Sequence, residues 1–336
     1  MANDMVPEQP PSTPGAWDKL IEAISDANLP KFILGPAGEA IARLIAGGAD
    51  IPAAWLQQKA QAIKDKTEAQ SLMTKTLAGA AAELVKNDPA LVQRAAEAFI
   101  AKEIGHQHNR ERIALKAIEH LKETPDAQTT KPDDDWLNMF ARHAQEASSD
   151  RMQELWSKIL AGQLRTANSF SLQTLRFVSE LDSATAALFE KWSAYIIGGS
   201  FLPHPPRGGQ DFHELMQLED LGLITGVTTQ LSNNINDHEV AEVNGNTTPV
   251  VFPFRSWTII MRVRKPFNVT YRCALLTRIG RELYPISNTP TTIEIVKAFV
   301  ELFPKPSGIE IVAVSHTQPQ QQEVLWKEPE QQQPQQ

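Results

Sequence analysis

Residues 149–162 read Ser-Asp-Arg-Met-Gln-Glu-Leu-Trp-Ser-Lys-Ile-Leu-Ala-Gly. Apolar residues recur there at the i, i+3, i+4, i+7 and i+8 positions of one helix face: Met152, Leu155, Trp156, Ile159 and Leu160. Ser148, Ser149 and Asp150 precede this face and are candidate N-cap residues, and Gly162 follows it as a C-terminal glycine would. The stretch therefore predicts an amphipathic helix that places Trp156 and Leu160 in a core.

Helical patterns flank this stretch on both sides. Residues 133–135 are three aspartates that precede an apolar face beginning at Trp136, so they are predicted to cap a helix there. A site for a hard cation is the alternative interpretation of the three carboxylates. Two further helices are expected after serine or aspartate caps: Ser169 or Ser171, and Asp182 or Ser183. Together these patterns predict a compact helical region over residues 136–197.

The first part of the chain is rich in alanine, which has the highest helix propensity. We predict an extended helical region over residues 15–124, between a disordered tail at 1–14 and a linker at 125–135. Pro89 marks the start of a long helix that runs to about Glu123, because proline suits the first helical position. The apolar residues at the start of that helix follow helical spacing: Leu91, Ala95 and Phe99.

Residues 32–56 combine large apolar side chains with several glycines, two prolines and three charges. The charges, Glu39, Arg43 and Asp50, argue against a membrane-spanning helix. From these charges we expect this segment to pack onto the rest of the protein at rest. That it meets a membrane surface or another subunit on activation is an expectation implied by the family resemblance described below. The candidate contact residues are its large apolar side chains: Phe32, Leu34, Ile41, Leu44 and Ile45.

The last third of the chain contains strand patterns. Residues 257–264 and 269–276 are rich in β-branched and aromatic residues, and the four residues between them predict a hairpin. The order of Leu218–Ile224, the hairpin and Leu276–Leu283 resembles that of winged-helix proteins, which implies a winged-helix-like α/β region over residues 198–314. A Gln/Pro-rich tail at 315–336 is predicted to be disordered apart from a small apolar knot at Val324–Trp326. With the helical first half, the predicted fold class is mainly α.

The predicted hairpin lies in a basic stretch. Seven basic residues and no acidic residue occur between Val250 and Arg281. The candidate nucleic-acid-binding residues are those near the hairpin: Arg262, Arg264, Lys265, Arg272, Arg278 and Arg281. Two interpretations stay open. The hairpin is a wing that contacts phosphates, or it is a solvated strand face that pairs with the acidic residues of 200–249.

Composition and motifs argue against several classes. The net charge of −8 excludes a chain that is basic throughout. The lone cysteine, Cys273, excludes an intramolecular disulfide, and the N-terminus has no secretory pattern, so a cytoplasmic location is expected.

No phosphate-binding or hydrolase motif occurs in the sequence. Glu103 and His106 match one copy of a di-iron motif, but we expect them to be solvated surface. No cofactor, metal or small-molecule substrate is predicted, and the chain is expected not to be an enzyme.

Residues 135–284 resemble a known bacterial family. Asp135-Trp136, the Gln-x-Leu-Trp-x-x-Ile-Leu-Ala-Gly run that ends at Gly162, and Ser169-Phe170-Ser171 are similar to the family called domain of unknown function 2806. The Leu-Trp pair also resembles the more distant Abi-alpha family of abortive infection. That resemblance implies a role in anti-phage defence and implies no catalytic residue.

These observations predict a non-enzymatic interaction or effector protein. It would act through a protein partner, through self-association or at a membrane surface. The alternative is a regulator that binds nucleic acid through the basic hairpin.

Overall fold

The computed structural model describes residues 35–47, 89–123, 129–229, 231–235, 242–243, 246–247, 249–263, 269–302 and 309–327. By its internal contacts the chain divides into two compact units, Met1–Ser179 and Glu180–Gln336. We call them the helical unit and the mixed unit. The predicted tail at 1–14, and residues 15–34 and 48–88 of the predicted helical region, lie outside the described residues.

Five described helices build the helical unit: α1 (Pro36–Ile45), α2 (Pro89–Lys122), α3 (Asp134–Ala144), α4 (Asp150–Arg165) and α5 (Leu172–Ser179). Asp133 accepts hydrogen bonds from the backbone of Asp135 and Trp136, so the predicted cap of α3 is confirmed. Ser149 likewise caps α4 by accepting from the Met152 amide. The predicted end of α4 at Gly162 is wrong, because the helix continues to Arg165.

The core of the helical unit is built around Trp156, which is buried together with Leu160, as predicted. The edge of the Trp156 ring meets Phe140 at 5.2 Å between ring centroids, and Phe140 stacks on Trp136 at 5.1 Å. The indole Nε1 of Trp136 donates to the backbone carbonyl of Phe170 over 2.7 Å, so its one polar group is satisfied inside the core.

The mixed unit contains helices and two antiparallel sheets. Its helices are α6 (Ser183–Ser193), α7 (Gly209–Asp220), α8 (Arg278–Leu283) and α9 (Ile293–Glu301). Its strands are β1 (Phe201–Pro203), β2 (Ile224–Thr225), β3 (Ser232–Ile235), β4 (Glu242–Val243), β5 (Asn246–Thr247), β6 (Val250–Pro253), β7 (Trp257–Val263), β8 (Val269–Leu276), β9 (Ile309–Ser315) and β10 (Gln322–Lys327). One sheet has the order β1-β8-β2, with β3 also paired to β8, and the other has the order β10-β9-β7-β6. The short strands β4 and β5 pair with each other.

The mainly α fold class is wrong, and so is the predicted hairpin. The mixed unit carries two four-stranded antiparallel sheets, so the protein is mixed α/β rather than mainly helical. β7 and β8 follow each other in sequence but lie in different sheets. The reason is that β6 and β9 occupy both edges of β7, while β8 pairs with β1, β2 and β3. No wing forms from these two strands.

The apolar core of the mixed unit joins both sheets to α9. Ile259 and Ile311 of one sheet and Cys273 of the other are buried in it with Phe299 of α9. Cys273 is therefore a core residue, and burial raises the pKa of its thiol. Residues 322–327 form β10, which pairs with β9. The predicted disorder of the tail is therefore wrong there, because order extends beyond the predicted apolar knot at 324–326 to the whole strand.

Candidate interaction surface

The long helix α2 has an exposed first half and a buried second half. At 1.5 Å per residue its 34 residues extend about 51 Å. In the second half Ile113, Ala117 and Ile118 are fully buried. In the first half Leu91 is 51% exposed and Phe99 is 54% exposed. The helix thus extends beyond the core that its second half helps to form.

The exposed apolar residues lie on the face of α2 that carries the core. Eighteen residues are five helical turns, so Leu91 stands directly above Asn109, and Ala95 stands above Ile113. Phe99 stands in the same way above Ala117, which is buried. We call Leu91, Ala95 and Phe99 the α2 stripe. Ile104, which is 64% exposed, lies on a different face.

The charges around the α2 stripe balance each other. Arg94 and Lys102 are the basic residues of the exposed half, and Glu97 and Glu103 are its acidic residues. The Gln93 side chain donates to Glu97 over 3.0 Å, one turn further along. The surface is therefore apolar along its centre and has no net charge.

A buried polar cluster separates the α2 stripe from the core. Arg110 donates to the side-chain oxygens of Gln107 and Gln145 over 2.8 Å each. Burial lowers the pKa of the Arg110 guanidinium, while the carboxylates of Glu103 and Glu111 oppose that shift. The C-terminal ends of α1 and α3 meet here, and the negative ends of their helix dipoles favour the buried cation.

His106 belongs to the same cluster, so its expected position on the solvated surface is wrong. It is buried, with Nε2 at 3.3 Å from a Glu146 oxygen and Nδ1 at 3.6 Å from a Glu103 oxygen. Across the described residues, no group of three or more His, Cys, Asp or Glu side chains is arranged to hold a metal ion.

The candidate contact residues of the segment 32–56 that lie on α1 are buried, whereas Leu91 and Phe99 of the α2 stripe are exposed. Ile41, Leu44 and Ile45 are buried on the inner face of α1. Phe32 and Leu34 lie outside the described residues. Arg43 holds α1 to α3 by donating to Asp134 over 2.5 Å and to Asn138 over 3.0 Å.

The apolar face of α1 packs inside the helical unit, as expected for this part of the segment, and its exposure on activation stays a prediction. Within the described part of the chain, no helix combines the length and apolarity needed to cross a bilayer.

The candidate nucleic-acid-binding residues do not form one surface of a hairpin. Arg262 of β7 pairs with Glu310 of β9 over 2.9 Å, and Arg278 pairs with Glu282 over 2.8 Å. Arg281 donates to the backbone carbonyl of Leu276 over 3.0 Å.

Arg272 lies on β8, in the other sheet from Arg262. Burial lowers the pKa of the Arg272 guanidinium, and the charge of Arg207 lowers it further. Arg264 and Lys265 lie outside the described residues.

The motif that carries the family resemblance is structural. Gln153 is fully buried, and its amide donates to Asn109 and to the backbone carbonyl of Ala147 over 3.0 Å each. Gly162 lies so close to Phe170 that a Cβ at this position would stand 2.8 Å from the ring. Gln153, Trp156 and Gly162 therefore hold helices together.

Comparison with known proteins supports the resemblance to one family. Residues 93–197 match the family model described as Protein of unknown function (DUF2806). No curated protein and no solved structure matches the chain. The matched range includes most of the exposed half of α2 and the whole Trp156 motif.

Proposed function

We propose that this chain, whose residues 93–197 match the DUF2806 family model, is a non-enzymatic interaction protein that associates with a second copy of itself through the exposed half of α2. The observation that carries the proposal is the α2 stripe. It continues the core face of α2 beyond the core and leaves Leu91 and Phe99 more than half exposed.

A contiguous apolar stripe differs from scattered exposed side chains. Single exposed leucines are common on protein surfaces. Leu91, Ala95 and Phe99, however, follow each other at intervals of four residues, so they form one continuous ridge. Contiguous exposed apolar surface is typical of binding faces. The simplest explanation of this ridge is that it binds a helix of a partner and is buried in that contact.

Charge and shape favour a second copy as the partner. In a two-fold arrangement the same patch meets itself. Antiparallel pairing centred between Ala98 and Phe99 brings each Phe99 ring against the small Ala98 side chain of the other copy. The same register brings Arg94 opposite Glu103 twice. In this register the Phe99–Ala98 and Arg94–Glu103 contacts are each made twice, so these two pairs are complementary to themselves.

The expected association is weak. The exposed half of α2 is about 25 Å long at 1.5 Å per residue. One helix pair of that length buries less than the roughly 800 Å² per partner of a standard stable interface. We therefore expect association that depends on protein concentration rather than an obligate dimer.

Anti-phage defence is the context that the Abi-alpha resemblance adds to this proposal. In that context the protein acts through a change in its self-association, and this action needs no catalytic group. The packed apolar face of α1 supports protein contacts through α2 over membrane contact through Ile41, Leu44 and Ile45.

Sedimentation velocity over a wide range of protein concentration tests the proposal. We expect the wild-type sedimentation coefficient to rise with concentration and Phe99→Glu to remain a monomer. The matched control is Ala101→Glu, which adds the same charge to an exposed position on another face of α2. Arg94→Glu should weaken association, and Glu103→Arg in the same chain should restore it.

A wild-type protein that stays monomeric at every concentration would contradict the proposal. So would association that survives Phe99→Glu. If the monomeric protein instead floats with vesicles of neutral or anionic lipid, the membrane interpretation replaces self-association.

A further inference from the structure

An open cavity of about 220 Å³ lies in the mixed unit. Its walls come from the end of α6, the segment after β1, the start of α7, the segment before β7, and α9. Trp192, Phe254 and Phe299 form an aromatic floor, all three of them buried. His204 and Asp211 also line the cavity. These residues are far apart in sequence, and no motif connects them.

The size and the walls of the cavity fit an aromatic ring. An apolar cavity of about 150 Å³ is sufficient to bind benzene. Phe254 and Phe299 meet edge to face at 5.4 Å between centroids, and Trp192 lies 5.2 Å from Tyr195. Aromatic rings favour offset and edge contacts of this kind, so a planar aromatic guest has partners on more than one side.

The charged side chain among the lining residues is acidic, and Lys191, which is not a lining residue, places its Nζ 5.0 Å from the centroid of the Trp192 ring. None of the residues that line it is a lysine or an arginine. Burial lowers the pKa of the His204 imidazole, and the charge of Arg272 lowers it further, so His204 adds no positive charge at neutral pH. The charged group on the cavity wall is the carboxylate of Asp211.

Asp211 is able to accept a second cation. Its side chain is 59% exposed and contacts Lys191 over 3.1 Å. Lys191 also contacts Glu214 over 2.5 Å, so Glu214 keeps Lys191 paired when Asp211 turns to a ligand. A positively charged group on an aromatic guest would meet Asp211 at the mouth of the cavity.

The backbone at the cavity edge is strained. His204 has a φ of +45°, which is uncommon for a residue with a large side chain. Its amide donates to the carbonyl of Arg272 over 2.8 Å, and this bond helps to hold the conformation. Strained residues of this kind concentrate at binding sites.

We propose that this cavity binds a small aromatic compound that carries a positive charge. The aromatic floor holds the ring, and Asp211 pairs with the charged group. This site is independent of the α2 stripe, which lies in the other unit.

Three probes that share the indole ring system but differ in charge test the site: tryptamine is a cation, indole is neutral and indole-3-acetate is an anion. Ligand-observed NMR and calorimetry on the full chain give their affinities. We expect tryptamine to bind about two- to fivefold more tightly than indole, as an exposed ion pair allows. Indole-3-acetate should bind most weakly. Asp211→Asn should remove the preference for tryptamine and leave the affinity for indole unchanged.

A blocking variant shows whether the probes enter this cavity. Ala298 is an exposed residue of α9 that lines it, so Ala298→Phe should fill the space and abolish binding of all three probes. Lys297→Phe, at the neighbouring exposed position outside the lining, is the matched control and should keep binding. The proposal fails if no probe binds, if Ala298→Phe binds as wild type, or if indole-3-acetate binds as tightly as tryptamine.

Discussion

The Gln153 side-chain amide donates to the side-chain oxygen of Asn109 over 3.0 Å, and this contact joins α2 to the first turn of α4. The Asn109 amide in turn donates to the backbone carbonyl of Gln145 over 2.8 Å. Because Gln153 also donates to Ala147, two side chains connect α2, α4 and the segment that follows α3. Both side chains are buried, so neither has bulk water as an alternative partner.

This pair predicts a strong energetic coupling. Asn109→Ala and Gln153→Ala should each lower the free energy of unfolding by about 1–3 kcal/mol, because each leaves buried polar groups without their partner. The double variant should lose less than the sum of the two, by about 1 kcal/mol. Urea unfolding of the four proteins measures the coupling. Additive losses would show that the contact contributes little.

Two of the helical glycines, Gly105 of α2 and Gly162 of α4, should respond to alanine with opposite signs. Gly105 is exposed in α2 with open space around it, so Gly105→Ala should stabilise the protein by about 0.5–1 kcal/mol. At Gly162 the added Cβ would stand 2.8 Å from the Phe170 ring. Gly162→Ala should therefore destabilise the protein by about 1–3 kcal/mol, the usual cost of overpacking. Thermal and urea unfolding measure both changes.

Phe170→Leu is the control that identifies the clash. In that background Gly162→Ala should cost clearly less than in the wild-type protein. An equal cost in both backgrounds would show that the ring of Phe170 is not the obstacle.

Stability should depend on pH through Glu154 of α4. Burial of Glu154 favours its neutral form, but His120, Lys116 and Lys158 outweigh that effect and hold its pKa below the ordinary value of 4.5. His120 Nε2 lies 2.9 Å from one Glu154 oxygen. The unfolded chain therefore binds a proton more readily than the folded one. The contribution of Glu154 is complete above about pH 4.5 and is lost as the pH falls through the lower folded pKa.

Glu154→Gln tests this dependence. We expect the variant to be less stable than wild type by about 0.5 kcal/mol near neutral pH, since the carboxylate is more than a third exposed and the solvent screens it. The difference should shrink toward zero in acid. Glu119→Gln removes the same charge from an exposed position of α2 and serves as the control. A difference that does not change with pH would contradict the assignment.

The nucleic-acid alternative has its own test. Because Arg262 pairs with Glu310 and Arg278 pairs with Glu282, we expect the basic residues to give little affinity for duplex DNA, even at about 50 mM salt. The variant with Arg262, Arg264 and Lys265 all changed to Ala should then behave as wild type in fluorescence anisotropy. A steep salt dependence in wild type that flattens in the variant would favour the regulator instead.

Local features of the helices could be predicted from the sequence. The helix caps at Ser149 and Asp182 can be predicted from the sequence because a capping residue bonds to backbone groups within one turn of itself. The burial of Trp156 is visible because its apolar neighbours repeat at helical spacing. The spacing of the α2 stripe is visible for the same reason, but its exposure is not, since exposure depends on where the rest of the helical unit ends.

Strand partners could not be predicted in the same way. A four-residue connection between residues 264 and 269 favours a hairpin, yet Trp257 pairs with Ser315 and Leu275 pairs with Phe201. These partners are distant in sequence, and the apolar pattern of a strand does not identify them. The cavity of the mixed unit could not be predicted for the same reason, because Trp192, His204 and Phe299 come together only in the fold.

The central place of β8 has a consequence for how the mixed unit folds. Among the described strands, β1, β2 and β3 of its sheet pair with β8 and not with one another. During synthesis these three segments precede β8 and have no partner until it leaves the ribosome. Their first pairing then requires closure of the long loop between Ile235 and Val269, and such distant pairings slow folding. This sheet is therefore expected to assemble late and in one step, after the helical unit has already formed.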